Sequence, residues 1–142
     1  MKIKQLSVFL ENRAGRLANV TRELGAAQVN ILALSLADTS DFGILRLIVD
    51  DVEKARDVLT RNSHVCRLSE VVALEVANRP GGLADILDIV EPAGVNVEYM
   101  YAFAEPQKNA ACLVFRFSDL ETAAKVLEES GIDVNVQLDL GA

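Results

Sequence analysis

The chain repeats itself, and the repeat limits what it can fold into more than any other feature does. Asn12-Arg13-Ala14-Gly15-Arg16-Leu17-Ala18 returns 66 positions later as Asn78-Arg79-Pro80-Gly81-Gly82-Leu83-Ala84, and Val29-Asn30-Ile31 returns at the same shift as Val95-Asn96-Val97. Further on the shift is 68, matching Asp51-Val52-Glu53-Lys54-Ala55 to Asp119-Leu120-Glu121-Thr122-Ala123. The two extra residues fall around 105–109, which reads as a hairpin loop, where insertion costs little. A period of this size means that each copy is one supersecondary unit. The 142 residues therefore divide into domains 1–69 and 70–142.

Apolar spacing gives the same element order in both copies. Leu6, Val8 and Leu10 alternate as a strand does, and so do Val72, Leu74 and Val76. Leu17, Val20 and Leu24, echoed by Leu83, Ile86 and Val90, change to helical spacing, with Gly25 and Gly94 expected as the stops. The third strands alternate Leu45, Leu47, Val49 and Leu113, Phe115, Phe117. Second helices are predicted at 51–62 and 119–130, capped at Asp50-Asp51 and Ser118-Asp119, and last strands at 64–69 and 132–139. The expected class is α+β: two tandem ferredoxin-like βαββαβ units whose antiparallel sheets carry both helices on one face. So small a unit has little core, and the join at Leu68-Ser69-Glu70-Val71 has no Pro or Gly. The two sheets are therefore expected to pack side by side.

The loop between first strand and first helix, Asn12 to Leu17 and Asn78 to Leu83, is followed in each copy by the Val-Asn start of strand two at Val29-Asn30 and Val95-Asn96. With that pairing the chain resembles the ACT domain, twice over. The resemblance implies sensing of a free amino acid or related small metabolite at the interface between two modules. No catalytic domain is attached, so it implies a stand-alone regulator acting on a metabolic enzyme, and not an enzyme. The ligand-binding residues it implies are Asn12, Ala14, Gly15 and Asn30, with Asn78, Pro80, Gly81, Gly82, Leu83 and Asn96. Physical chemistry favours the same place. A turn before a helix offers unpaired N–H groups and a positive dipole end to a carboxylate, glycine lets the backbone come close, and Asn both donates and accepts. Loop two, with Pro80 fixing the backbone and Gly82 read as open space, is expected to be the better site. The expected pairings set Asn78, Gly81 and Gly82 against Asn30, and Asn12 and Gly15 against Asn96. Leu10 and Val76 stand where some members of the family have a polar residue.

The remaining features narrow the class. A net charge of −7 lacks the basic stripe that a nucleic-acid or polybasic membrane contact needs. Residues 1–69 carry ten Lys/Arg against eight Asp/Glu, whereas residues 70–142 carry four against thirteen. That opposition favours contact between the copies. Apolar runs fall short of a bilayer span and the N-terminus has no signal core, so a cytoplasmic protein is expected. Cys66 and Cys112 read as reduced small hydrophobes. His64 with Cys66 offers too few ligands for a metal, no cofactor fingerprint is present, and Tyr99, Tyr101 and Phe103 read as core or interface. On the sheet face away from the helices, Ser7, Phe9, Ile44 and Ile48, with Val71, Ala73, Cys112 and Val114, form an apolar surface that a homodimer is expected to cover. Beside the amino-acid sensor stands a ligand-independent subunit docking on a biosynthetic enzyme, and, less favoured, a small metabolic enzyme on the same fold.

Overall fold

The computed structural model describes residues 2–38, 41–103 and 110–134. Among the described residues six strands and four helices follow in the order β1 (Lys2–Glu11), α1 (Arg16–Ala26), β2 (Ile31–Asp38), β3 (Phe42–Val49), α2 (Val52–Arg61), β4 (Val65–Ala77), α3 (Gly82–Val90), β5 (Val97–Ala102), β6 (Ala110–Phe117) and α4 (Leu120–Glu129). A 3-10 turn, Glu91–Ala93, extends α3. The chain folds as two compact units, residues 4–69 and residues 70–134 together with Lys2 and Ile3.

In the first unit β3 lies between β1 and β2 and is antiparallel to both, with Leu6 opposite Leu47 and Leu47 opposite Leu34. In the second, β6 lies between β4 and β5 in the same way, with Leu74 opposite Leu113 and Leu113 opposite Ala102. The alternating residues of the first unit enter one core: Leu6, Val8 and Leu10 meet Leu45, Leu47 and Val49, closed over by Val20 and Leu24 of α1 and by Ala55 and Leu59 of α2. The second core repeats the plan with Val72, Leu74, Val76, Phe115 and Phe117 under Ile86, Val90, Ala123 and Leu127. Phe115 and Phe117 stack at 5.3 Å between ring centroids. The strand–helix–strand–strand–helix order of both copies and their antiparallel pairing are those expected from the periodicity. Asp51 and Asp119 cap α2 and α4, each accepting at 3.1 Å from the backbone N–H three residues on.

Three expectations need correction. The strand expected at 64–69 and the one beginning at Val72 are one strand, β4, because nothing in Leu68-Ser69-Glu70-Val71 turns an extended chain. Cys66 and Leu68 of β4 pack on the first core, and Val72, Leu74 and Val76 belong to the second. Gly94 ends its helical segment in a left-handed conformation at φ 72°, but Gly25 lies inside α1 and stops nothing. The residue that turns the chain there is Gln28, at φ 61°, the repeat partner of Gly94. Most of the apolar face away from the helices is already buried within this chain: Ile48, Val71, Ala73 and Val114 are all at most 1% exposed, and Ser7 and Cys112 are buried too. The hairpin loop at 105–109 and nearly all of the expected strand at 132–139 lie outside the described residues.

Candidate functional loops

The two strand–helix loops share one backbone design. In the first, the Arg13 N–H donates to Glu11 O at 2.9 Å and the Asn19 N–H to Gly15 O at 2.9 Å; in the second, Arg79 donates to Ala77 O at 2.9 Å and Asp85 to Gly81 O at 3.0 Å. Gly15 and Gly81 stand at the helix N-caps with φ 90° and 82°, a left-handed conformation that costs any other L-residue about 1–2 kcal/mol. Because glycine has no side chain, nothing caps α1 or α3, in contrast to the Asp caps of α2 and α4. The helix starts thus lack a side-chain cap, while the Arg16 and Gly82 N–H groups donate back to Arg13 O at 3.4 Å and to Arg79 O at 3.0 Å. Asn12, Ala14, Asn78 and Pro80 are exposed around these helix starts. Leu17 and Leu83, the first residues of the helical apolar stripes, are each 37% exposed, so both loops hold a leucine at the surface beside the helix start.

The loops differ in what surrounds them. At the first, a cleft of 290 Å³ opens between the loop, α1, β2 and β3. Its polar wall is Glu11, Asn12, Arg13 and Arg16; Leu10, Leu17 and Leu36 supply the apolar side. The Glu11 carboxylate bridges two guanidinium groups, with Oε2 at 3.2 Å from Arg13 Nε and Oε1 at 3.6 Å from Arg16 Nη2. The Asn12 N–H donates to Asp41 O at 3.0 Å, which ties the loop to the start of the β3 hairpin arm.

In the second loop Arg79 is drawn onto α3, paired with Asp85, and donates to its neighbour Pro80 O at 3.2 Å. Gly82, read from sequence as open space, is buried: a Cβ there would stand 2.1 Å from Ala77 O. The glycine is required by close packing of α3 on the end of β4, not by an approaching ligand. Arg16 occupies the equivalent position in the first loop and lines the cleft there.

Asn30 and Asn96 open β2 and β5 in matching clamps. The Asn30 N–H donates to Asp50 Oδ1 at 2.9 Å and its carbonyl accepts from the Asp50 N–H at 3.1 Å. The Asn96 N–H donates to Ser118 Oγ at 2.9 Å and its carbonyl accepts from the Ser118 N–H at 2.8 Å. Within the first unit the two motifs do not meet. Asn12 follows Glu11, which faces Phe42 at one end of β3, whereas Asn30 precedes Ile31, which faces Val49 at the other end. Seven strand residues separate those ends, roughly 23 Å. Sequence reasoning missed Glu11, Arg16 and Leu36. The signal for the first two was present in Glu11-x-Arg13-x-x-Arg16, a carboxylate and two guanidiniums placed where a strand meets a helix.

His64 and Cys66 have partners of their own. His64 Nε2 lies 2.8 Å from Glu23 Oε2, and the Cys66 thiol, its pKa raised by burial, is directed at the His64 carbonyl at 3.9 Å. Among the described residues no helix is long and apolar enough to cross a membrane.

Comparison with known proteins agrees with the internal repeat. No curated protein matches the chain. The crystal structure of protein BT0572 from Bacteroides thetaiotaomicron is 43% identical, with a TM-score of 0.88 over 94% of this chain and 91% of that one. The regulatory subunit of aspartate kinase from Thermus thermophilus, in its ligand-free form, has the same fold at 14% identity and a TM-score of 0.63, over 89% of this chain and 91% of that one. The corresponding subunit from Thermus flavus is similar at 15% identity and a TM-score of 0.61, over 90% of this chain and 92% of that one. The family model of the ACT domain pair matches residues 1–140, and with two units that each open their first helix on a glycine turn without a side-chain cap, the chain belongs to that family.

Proposed function

We propose that this ACT domain pair is a cytoplasmic regulator that binds a free amino acid at its strand–helix loops and passes the occupancy to a metabolic enzyme or pathway. The observation that carries the reading is the pair of uncapped, glycine-started helices, each beside an exposed Asn and an exposed Leu. An uncapped helix start suits a carboxylate, an Asn side chain suits either end of a zwitterion, and a surface leucine suits the rest of the molecule. The proposed contacts are Asn12, Ala14 and Gly15 in the first loop, and Asn78, Pro80, Gly81 and Leu83 in the second, where Gly82 is taken up by packing on Ala77. Asn30 and Asn96 complete the set at the strand starts. The likeness to a kinase regulatory subunit, which is a likeness of fold, makes regulation of an enzyme the natural output. A thermal-shift series with the twenty common amino acids tests it. A ligand that binds only the folded state at a hundred times its Kd adds about 2.7 kcal/mol and a clear rise in Tm. If no amino acid raises the Tm, the sensing reading fails.

A second reading has its own observation. Leu34 and Leu36 of β2, 49 and 52% exposed, lie side by side with Leu47 and Leu45 on the helix side of the sheet, and Phe9 and Phe42, 39 and 59% exposed, lie on the opposite side. The exposed leucine pair on β2 fits a ligand-independent subunit that docks on an enzyme or on a second copy of this chain. Light scattering across a concentration series tests the homodimer part.

A further inference from the structure

The first loop's cleft combines features that the second loop lacks. Repeat alignment sets Ala77 against Glu11, Gly82 against Arg16 and Ala102 against Leu36, so the bridging carboxylate, the second guanidinium and the leucine of β2 are all absent from the second copy. The first turn of α1 holds no acidic residue, whereas that of α3 holds Asp85, which opposes an incoming anion and already engages Arg79. We infer that the first loop, not the second, is the amino-acid site, and that it takes an α-amino acid with an aliphatic side chain. Glu11 receives the ammonium, Arg13 and Arg16 receive the carboxylate, and Leu10, Leu17 and Leu36 surround the side chain. The inference rests on the amino-acid reading above and narrows it to one loop and one ligand class.

The geometry fits a zwitterion. Glu11 lies between two guanidiniums at 3.2 and 3.6 Å, so opposite charges stand side by side at the spacing at which an amino acid presents its own. The Glu11, Arg13 and Arg16 side chains are 54, 62 and 33% exposed, and ion pairs that wet are weak enough for a ligand to reorganise them. Among the described residues the charged lining of the cleft is Glu11, Arg13 and Arg16, which the ligand's own ammonium and carboxylate engage, and the remaining lining is largely leucine. Its 290 Å³ is at or below the lower end of the roughly 300–1,000 Å³ range of small-molecule pockets, suited to a single small metabolite.

Calorimetry on the full chain tests the assignment, with L-leucine, L-isoleucine, L-valine, L-alanine, L-aspartate and L-lysine as ligands. Two fragments of leucine complete the set: 4-methylpentanoate, which lacks the ammonium, and isopentylamine, which lacks the carboxylate. At least one aliphatic amino acid is expected to bind more tightly than aspartate or lysine. Glu11→Gln and Arg16→Gln should each weaken it about tenfold, the loss typical of a hydrogen bond to a charged group. Glu11→Gln should also erase the advantage of leucine over 4-methylpentanoate, which mere loosening of the loop would not do. Leu36→Ala should reduce the preference for leucine over L-alanine, and Arg79→Gln should leave binding unchanged. Tight aspartate or lysine binding would overturn the ligand class. Amino-acid binding that survives Glu11→Gln and Arg16→Gln and is lost in Asn78→Ala would overturn the choice of loop while leaving the sensing reading intact. Binding of none of the twenty amino acids would remove both.

Discussion

Replacing Gly82 by Ala tests whether that glycine serves packing or a ligand. The added Cβ would stand 2.1 Å from Ala77 O, and moving it out to an ordinary 3.4 Å requires α3 or the end of β4 to yield by more than an ångström. The same movement strains the two bonds that form the turn, Arg79 N–H to Ala77 O at 2.9 Å and Gly82 N–H to Arg79 O at 3.0 Å. Overpacking costs about 1–3 kcal/mol. A weakened turn bond adds roughly 1 kcal/mol. Against this, alanine restricts the unfolded chain and returns about 0.4–1 kcal/mol. The net expectation is a loss of roughly 2–3 kcal/mol, which in a chain of this size lowers the Tm by about 6–12 °C. Differential scanning calorimetry without ligand measures it. Gly25→Ala is the control, because Gly25 lies in α1 with nothing within 4 Å of its Cβ position and no positive φ; it should gain about 0.5–1 kcal/mol. A Gly82→Ala protein that melts within 2 °C of its parent, by the roughly 2–8 °C per kcal/mol scale, would refute the packing argument.

Other substitutions probe different parts of the same reasoning. Gln28 and Ser63 hold φ 61° and 66°, where the second copy has Gly94 and Gly131 at 72° and 82°; Gln28→Gly and Ser63→Gly should each raise the urea midpoint, by roughly 0.5–1 kcal/mol of stability, and a lowered midpoint would contradict this. Asp51→Ala removes the cap that accepts from the Lys54 N–H and should cost about 1 kcal/mol in the same assay. The Asp119 carboxyl is held below the usual carboxylate range by hydrogen bonds from the Thr122 side chain and backbone, so its stabilising charge is present above the ordinary carboxylate pKa and is lost as pH falls through the lowered one. The Tm difference between parent and Asp119→Ala should therefore shrink on acidification below the ordinary range, and a difference that grows there would contradict the sign. Burial pushes the Cys66 thiol up, so its alkylation by iodoacetamide should reach half its limiting rate at a pH above that of a free cysteine.

How far the sequence could be read depended on whether a position is determined by its neighbours in the chain or by distant ones. The core stripes were legible because alternation at Leu6, Val8 and Leu10 and helical spacing at Val20 and Leu24 are local signals of direction. The Asp caps were legible for the same reason. Gln28 was not, because a left-handed turn at a glutamine has no compositional mark, and Gly25 nearby was a more conventional stop. Gly82 was read as space for a ligand because sequence does not show that Ala77 O fills it. Ile48, Val71 and Val114 were placed on the correct side of their strands, but whether that side is wet depends on tertiary burial that periodicity does not encode. At the candidate site the Asn and Gly positions followed from the repeat, whereas Glu11, Arg16 and Leu36 did not, because they are the residues in which the copies differ.

The unbroken course of β4 from Val65 to Ala77 bears on how far the two copies can still be treated as interchangeable parts. The repeat invites a cut between residues 69 and 70, yet that cut divides a strand, and the unit after it would also lack Lys2 and Ile3, with the pairing of Lys2 to Glu121. Two genes each encoding one half would yield fragments with frayed ends, and transplanting one copy alone would carry an incomplete fold. The period of the sequence and the boundary of the folded unit therefore do not coincide, and the pair is the piece to express or graft whole.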